Sequence, residues 1–238
     1  MERISQQTTY MTLTRGIAHE IRNPLGLMLS GSEIIIENAQ DNPTVLKYFE
    51  VVKKGILRLK KITTSMLHYG AESDVVNRSL TDINELIKDI KLMTQGESRS
   101  RNIKISLDLD KIEKLNIDES QVNHALINII INAFESIDKN GEVKIKTTSS
   151  QFKNKDNVLK KGVNIQIKDT GAGCSADKLE LLFDPFYTTK YKNAGLGLSI
   201  VLKTIKNHDG LITMDSEADK GLTCSIWLPF DNAPPPTN

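Results

Sequence analysis

His19-Glu20-Ile21-Arg22-Asn23, followed by Pro24, sets a nucleophilic imidazole beside a carboxylate, with an amide four residues on. Leu13, Ile17, Ile21, Leu25, Met28 and Ile35 recur at helical spacing. His19 is two positions from both Ile17 and Ile21, about 200° of rotation, so it points away from that apolar stripe. Asn23 shares the exposed face with His19. Glu20 is offset by about 100° and reaches the imidazole by a side-chain rotation. Such a pair suits nucleophilic chemistry. The carboxylate takes the proton of one ring nitrogen while the other nitrogen attacks. Pro24 donates no backbone hydrogen bond to the Glu20 carbonyl, so the helix should bend there. His68, His124 and His208 have no comparable neighbours and read as structural.

A second set of polar residues begins about a hundred positions downstream. Asn128, Asn132 and Glu135 lie along one edge of an otherwise apolar helix. Buried asparagines need partners. The partner could be hydrated Mg²⁺ carrying ATP phosphates, since that ion takes oxygen ligands and keeps waters. Equally, the two amides could cap or bridge neighbouring strands. Asp169-Thr170-Gly171-Ala172-Gly173 follows a strand. Its glycines let a ligand approach the backbone, and the Asp169 carboxylate could accept a hydrogen bond from an adenine exocyclic amine. A plain turn would use the same residues. Gly195-Leu196-Gly197-Leu198 opens a helix whose free amides suit phosphate. Between these motifs, Phe183 to Phe186 reads as a packing anchor, and Thr188, Thr189 and Lys190 as a lid over phosphates. No GxxxxGK[ST] run and no Gly-rich loop with a downstream HRD occurs.

The elements that must position these groups follow from periodicity. Residues 4–38 read as one helix, and Ala39 to Pro43 as a turn. Val45, Phe49, Val52, Ile56, Leu59, Ile62, Met66 and Tyr69 then alternate steps of four and three, as in a coiled coil. The two helices make a hairpin over 1–71 that cannot bury both apolar stripes alone. A homodimeric four-helix bundle could. Residues 72–79 read as a linker, 80–230 as a second domain and 231–238 as a disordered tail. In the second domain Asp82 with Glu85 opens a helix to about Gln95. Asp118 with Gln121 opens another to about Ile137. Strands are expected at Ile103–Leu109, Val143–Thr147, Val163–Lys168 and Thr223–Leu228. Ser149 to Gly162 reads as a solvated hairpin loop, and a last helix as Leu196 to Asn207. The class is α+β: a helical hairpin, then an α/β sandwich with helices on one sheet face.

The 238 residues allow one large or two modest domains. A net charge of +1 and 5% aromatics give no electrostatic case for nucleic acid. No apolar run approaches the roughly 20 residues that span a bilayer, so no membrane contact is expected from this chain itself. Cys174 and Cys224 provide neither a disulfide framework nor metal-ligand spacing. The compartment reads as reducing cytosol.

With these motifs in this order, the chain resembles a sensor histidine kinase core from about Thr12 to Pro229. Ala18 to Leu25 resembles the phosphoacceptor box, Asn128 to Ala133 the N box, and Asp169 to Gly173 the first glycine box. Phe183 to Phe186 resembles the F box, Gly195 to Leu198 the second glycine box, and Gly221 to Pro229 the final strand. Leu222 stands where that strand commonly has Thr, and Glu135 where many kinases carry Lys. The resemblance implies a dimerisation and phosphotransfer hairpin followed by a gyrase-type ATP-binding domain. It implies Mg²⁺ at Asn132 with Asn128, adenine at Asp169, and a response-regulator partner. The expected activity is autophosphorylation of His19 from ATP and transfer to a regulator aspartate, with Asn23 positioning water for dephosphorylation of that regulator. Two other readings use the same residues less fully: a gyrase-like ATPase or nucleotide switch without phosphohistidine, and a silent dimeric scaffold that docks regulators.

Overall fold

The computed structural model describes residues 21, 24–37, 42–71, 76–153, 159–188, 195–217 and 219–230, with side chains omitted at 58, 60–62, 64–71 and 153. These residues fall into two compact units, a helical hairpin and a sheet domain. His19, Glu20, Asn23, Thr189, Lys190, the 72–75 stretch and the 231–238 tail lie outside the described residues.

In the hairpin unit, helix α1 covers 24–37 and helix α2 covers Pro43–Ala71. Asn42 Oδ1 accepts the Val45 amide 3.2 Å away, which caps α2 as the Asn-Pro sequence predicts. Glu33 and Lys53 pair at 3.7 Å across the hairpin. Leu25 and Ile56 are buried, whereas Leu27, Met28, Ile34, Val51, Val52 and Leu59 are exposed. The apolar positions are thus more numerous than one hairpin covers.

The second unit is a two-layer α/β sandwich. It begins with strand β1 (Ser79–Thr81), helix α3 (Ile83–Ser100), strands β2 (Ile103–Leu109) and β3 (Leu115–Ile117), and helix α4 (Glu119–Ser136). Strands β4 (Gly141–Lys153) and β5 (Leu159–Asp169), short helix α5 (Ala176–Leu179), helix α6 (Gly197–Asn207), and strands β6 (Leu211–Ser216) and β7 (Leu222–Pro229) follow. The main sheet runs β2-β4-β5-β7-β6, with β2 parallel to β4 and the other neighbours antiparallel. Strands β1 and β3 pair separately.

Alternate residues of the central strands face one core: Val143 and Ile145, Val163 to Ile167, and Cys224 to Leu228 at every second position. Helix α3 contributes Ile83, Ile87 and Ile90, and helix α4 contributes Leu126, Ile130 and Phe134. Both helices start where a carboxylate caps free amides. Asp82 accepts from Asn84 and Glu85, and Asp118 from Gln121. Burial pushes the Cys224 thiol up to about 12, so it behaves as a core residue.

Three expectations need correction. Ser149–Lys153 and Leu159–Gly162 are strand rather than loop, because β4 and β5 stay paired out to Lys153 and Leu159. The extension is mostly polar, and it is sustained by backbone pairing and by Phe152, whose ring lies 5.6 Å from that of Trp227. Strands β1, β3 and β6 were invisible to periodicity because the first two have three residues each and β6 lies half-exposed at an edge. Helix α3 runs past Gln95 to Ser100, since its last turns bury Thr94 and Ser98, which hydrophobic spacing does not count.

His208 is structural, as expected, and its role is specific. It is fully buried. Its Nε2 accepts the Asp118 amide at 3.0 Å while Nδ1 lies 2.8 Å from the Thr204 carbonyl, so the proton sits on Nδ1. Asp118 also accepts the Asn77 amide at 3.0 Å, and the Arg78 guanidinium donates to the Asn207 carbonyl and to Asp209. Desolvation holds His208 below its ordinary 6.5, opposed by its backbone partner and by Asp118 and Asp209, and reinforced by Arg78. A folded-state pKa below the unfolded value means that the unfolded chain binds more protons as pH falls. Stability is therefore present above about pH 6.5 and is lost below it. His208→Gln should flatten that dependence between about pH 5 and 7 and cost about 1–3 kcal/mol at neutral pH, as read by thermal melts across pH.

Candidate nucleotide site

Helix α4 carries the two asparagines one turn apart on the edge that meets α6. Gly197, the first residue of α6, sits against both. A Cβ there would lie 3.7 Å from Asn128 Oδ1 and 3.9 Å from Asn132 Nδ2. At the other end of α6, His208 reaches Asp118 at the start of α4. The two helices therefore run antiparallel, with the α6 N-terminus opening beside the asparagines. Asn128 Nδ2 is buried and has no hydrogen-bond partner among the described residues. It is one of several such orphaned buried atoms among the described residues, and the one whose side chain lies against Gly197. Glu135 follows on the same helix edge and is half-buried.

Asp169, at the end of β5, is 3% exposed. Its Oδ1 accepts three hydrogen bonds, from the Gly171 amide at 2.7 Å, the Ser136 hydroxyl at 3.1 Å and the Leu222 amide at 3.3 Å. Its Oδ2 accepts none among the described residues. The chain then turns through Gly171, whose Cα faces Ser136 so closely that a Cβ would lie 2.6 Å from the Ser136 carbonyl oxygen. The Ala172 amide donates to that same carbonyl at 3.2 Å. Gly221 holds φ 84 with its Cα against the Asp169 backbone. Ser216 accepts the Cys174 amide and donates to the Gly221 carbonyl, tying β6 to the loop.

The sheet unit thus brings Asn128, Asn132 and Gly197 into one cluster, fixes Asp169 and Gly171 at the C-terminal end of α4, and sets Gly173 against Ser216, Glu217 and Gly221. Gly195 has φ 69, Leu196 is buried, Leu198 is half-buried, and Thr188 is exposed. The aromatic half of the preceding segment is not the packing anchor expected. Phe186 is turned out at φ 69 and is 57% exposed, while Phe183 is half-buried. Ser136 and Ser216 were not foreseen. Ser136 lies four residues beyond Asn132, so helical spacing alone could have marked it; Ser216 had no local signal.

Known proteins share these features. Residues 117–232 match the family described as histidine kinase-, DNA gyrase B- and HSP90-like ATPase. Residues 11–73 match the His Kinase A phosphoacceptor domain. The chain is a histidine kinase catalytic core.

Among curated relatives, sensor histidine kinase ZraS of Escherichia coli K12 is 28% identical over 220 residues, covering 92% of this chain and 45% of ZraS. Sporulation kinase C of Bacillus subtilis is 31% identical over 235 residues, covering 96% of this chain and 52% of that kinase. The chain spans about half the length of these relatives. Full-length ShkA, solved with AMPPNP, shares the fold at a TM-score of 0.77 and 20% identity, covering 95% of this chain and 47% of ShkA. Histidine kinase ThkA, solved with the response regulator protein TrrA, superposes at 0.68 with 26% identity, covering 96% of this chain and 64% of ThkA. The sheet unit of this histidine kinase core is its ATP-binding domain. Among the described residues, no helix is long and apolar enough to cross a membrane.

The packing at Gly171 yields a direct test. Gly171→Ala drives a methyl into the Ser136 carbonyl, which has no freedom to retreat. We expect a loss of about 1–3 kcal/mol of domain stability and at least about ten-fold weaker ATP binding, read by melting and by titration calorimetry.

Proposed function

We propose that this chain transfers the γ-phosphoryl group of ATP to His19 and then to an aspartate of a response-regulator receiver domain. What carries the reading is the presence in one chain of a phosphoacceptor-domain match at 11–73 and an ATPase-domain match containing the Asn128, Asn132 and Gly197 cluster. The response-regulator complex of ThkA supports the choice of partner.

In this reading Asp169 Oδ2 accepts a hydrogen bond from the adenine exocyclic amine. Gly171 and Gly173 let the loop pack against Ser136 and Glu217, which holds the Asp169 carboxylate toward the base. Gly195, Leu196, Gly197 and Leu198 would place the phosphates at the positive dipole end of α6. The amide oxygens of Asn128 and Asn132 are hard donors that fit Mg²⁺, and Asn128 Nδ2, which has no partner among the described residues, would donate to a phosphate oxygen. When bound, Mg²⁺ neutralises charge on the β- and γ-phosphates. Glu135 continues the same helix edge and orders water around the phosphates. Thr188, Thr189 and Lys190 close over them, with Lys190 offsetting negative charge.

Glu20 accepts the proton of one His19 nitrogen, and the other attacks the γ-phosphorus in line. A P–N bond forms as the bond to the bridging oxygen of ADP breaks. Asn23 positions water when the phosphorylated regulator is hydrolysed. The exposed apolar residues of α1 and α2 support a homodimer in which two hairpins make one four-helix bundle. The composition supports a cytoplasmic setting for this core.

Incubation with γ-labelled ATP and Mg²⁺ tests the reading. The chain should acquire acid-labile, alkali-stable label that His19→Ala abolishes, and Asn132→Ala should slow labelling by roughly 10²-fold or more. Steady ADP release with no labelled protein would sink it. Asn23→Ala should leave labelling intact and slow regulator dephosphorylation; an unchanged dephosphorylation rate removes Asn23 from that role.

A further inference from the structure

Ser136 is the point where helix α4 meets the loop after β5. Its carbonyl accepts the Ala172 amide at 3.2 Å, and its hydroxyl lies 3.1 Å from Asp169 Oδ1 and 2.8 Å from the Ala133 carbonyl. A serine hydroxyl has one proton and two lone pairs. If that proton pointed at Ala133, two electron-rich oxygens would face each other at Asp169. The ionised carboxylate is also the stronger acceptor. The proton therefore goes to Asp169 Oδ1.

The surroundings make this donor matter. Asp169 lies beside the C-terminal end of α4, where the helix dipole disfavours an anion, and it is 3% exposed, so water offers it little compensation. Two of its three anchors, the Gly171 and Leu222 amides, belong to the backbone. Ser136 is the side-chain anchor. With Oδ1 held by all three, the carboxylate cannot rotate, and Oδ2 stays where it accepts no bond from the described residues.

We propose that Ser136 is a positioning residue for base recognition: it fixes the Asp169 carboxylate so that Oδ2 selects a purine bearing an exocyclic amine. This rests on the reading of Asp169 as the adenine acceptor. Ser136 does not itself touch the base. It sets how strongly the site prefers adenine over a base with a carbonyl at the same position.

The test is equilibrium binding of ATP and of inosine triphosphate, which carries a carbonyl in place of that amine. The full chain would be compared as wild type, Ser136→Ala and Asp169→Asn, with a melting curve for each. Ser136→Ala should weaken ATP about five-fold, the worth of one ordinary hydrogen bond, and leave inosine triphosphate within about two-fold. A parallel loss for both nucleotides, or no loss for either, overturns the proposal and returns Ser136 to a structural role. A lowered melting temperature with the ATP preference intact overturns it too. Asp169→Asn should abolish the preference. If the preference survives in that variant, the adenine reading of Asp169 itself fails. If Asp169→Asn abolishes it and Ser136→Ala does not touch it, only the role of Ser136 fails.

Discussion

The three hydrogen bonds converging on Asp169 Oδ1 are the constraint on which the sheet unit's site depends. Their donors come from three places far apart in sequence: the end of α4, the loop after β5, and the start of β7. A buried carboxylate is tolerated only when such donors replace water. The same bonds that make Asp169 affordable in the core also fix its direction. Gly171 and Gly221 are glycines for the same reason, since each faces backbone that a Cβ would strike. Removing any one of these contacts loosens three elements together.

Helix α6 carries that order to the far side of the domain. Its first residue lies against Asn128 and Asn132, and the residues just beyond its last turn hold Asp118, Arg78 and, through Asp118, Asn77. A rigid helix of this length leaves little independence between its two ends. Arg78, and Asn77 through Asp118, are thus bonded to the helix whose first residue faces Asn128 and Asn132. Burial of a neutral His208 makes this junction specific, because the imidazole fits as an acceptor on one side and a donor on the other. The hairpin unit is ordered by a different logic. Among its described residues, few apolar side chains are buried and many are exposed, so its helices form from spacing and capping.

Much of the architecture could be read from local pattern. The caps at Asp82 and Asp118 and the alternation in β2, β5 and β7 depend on neighbours within a few residues, which a sequence displays directly. The edge formed by Asn128, Asn132 and Glu135 follows from helical geometry alone. Short strands such as β1 and β3 carry too few residues for a period. The extension of β4 and β5 past Thr147 is held largely by cross-strand backbone bonds in a mostly polar stretch, with the single ring contact of Phe152 on Trp227, too little apolar pattern to show as a period. Phe186 misled for a related reason: an aromatic residue suggests packing, yet its left-handed backbone turns the ring outward.

Residue types and their local spacing by themselves determined the two-part organisation, the helical hairpin, the two asparagines on one helix edge and the glycine-bounded Asp169. Those are properties of the helix period, of capping and of backbone freedom. Tertiary structure alone decided which groups meet: Ser136 with Asp169, Gly197 with Asn128 and Asn132, His208 with Asp118 and Ser216 with Gly221. Most of these contacts close loops of tens of residues, and their partners are chosen by the sheet order and by the antiparallel packing of α4 on α6. No local period encodes that choice, because it is set by which surfaces bury the most apolar area when the layers come together.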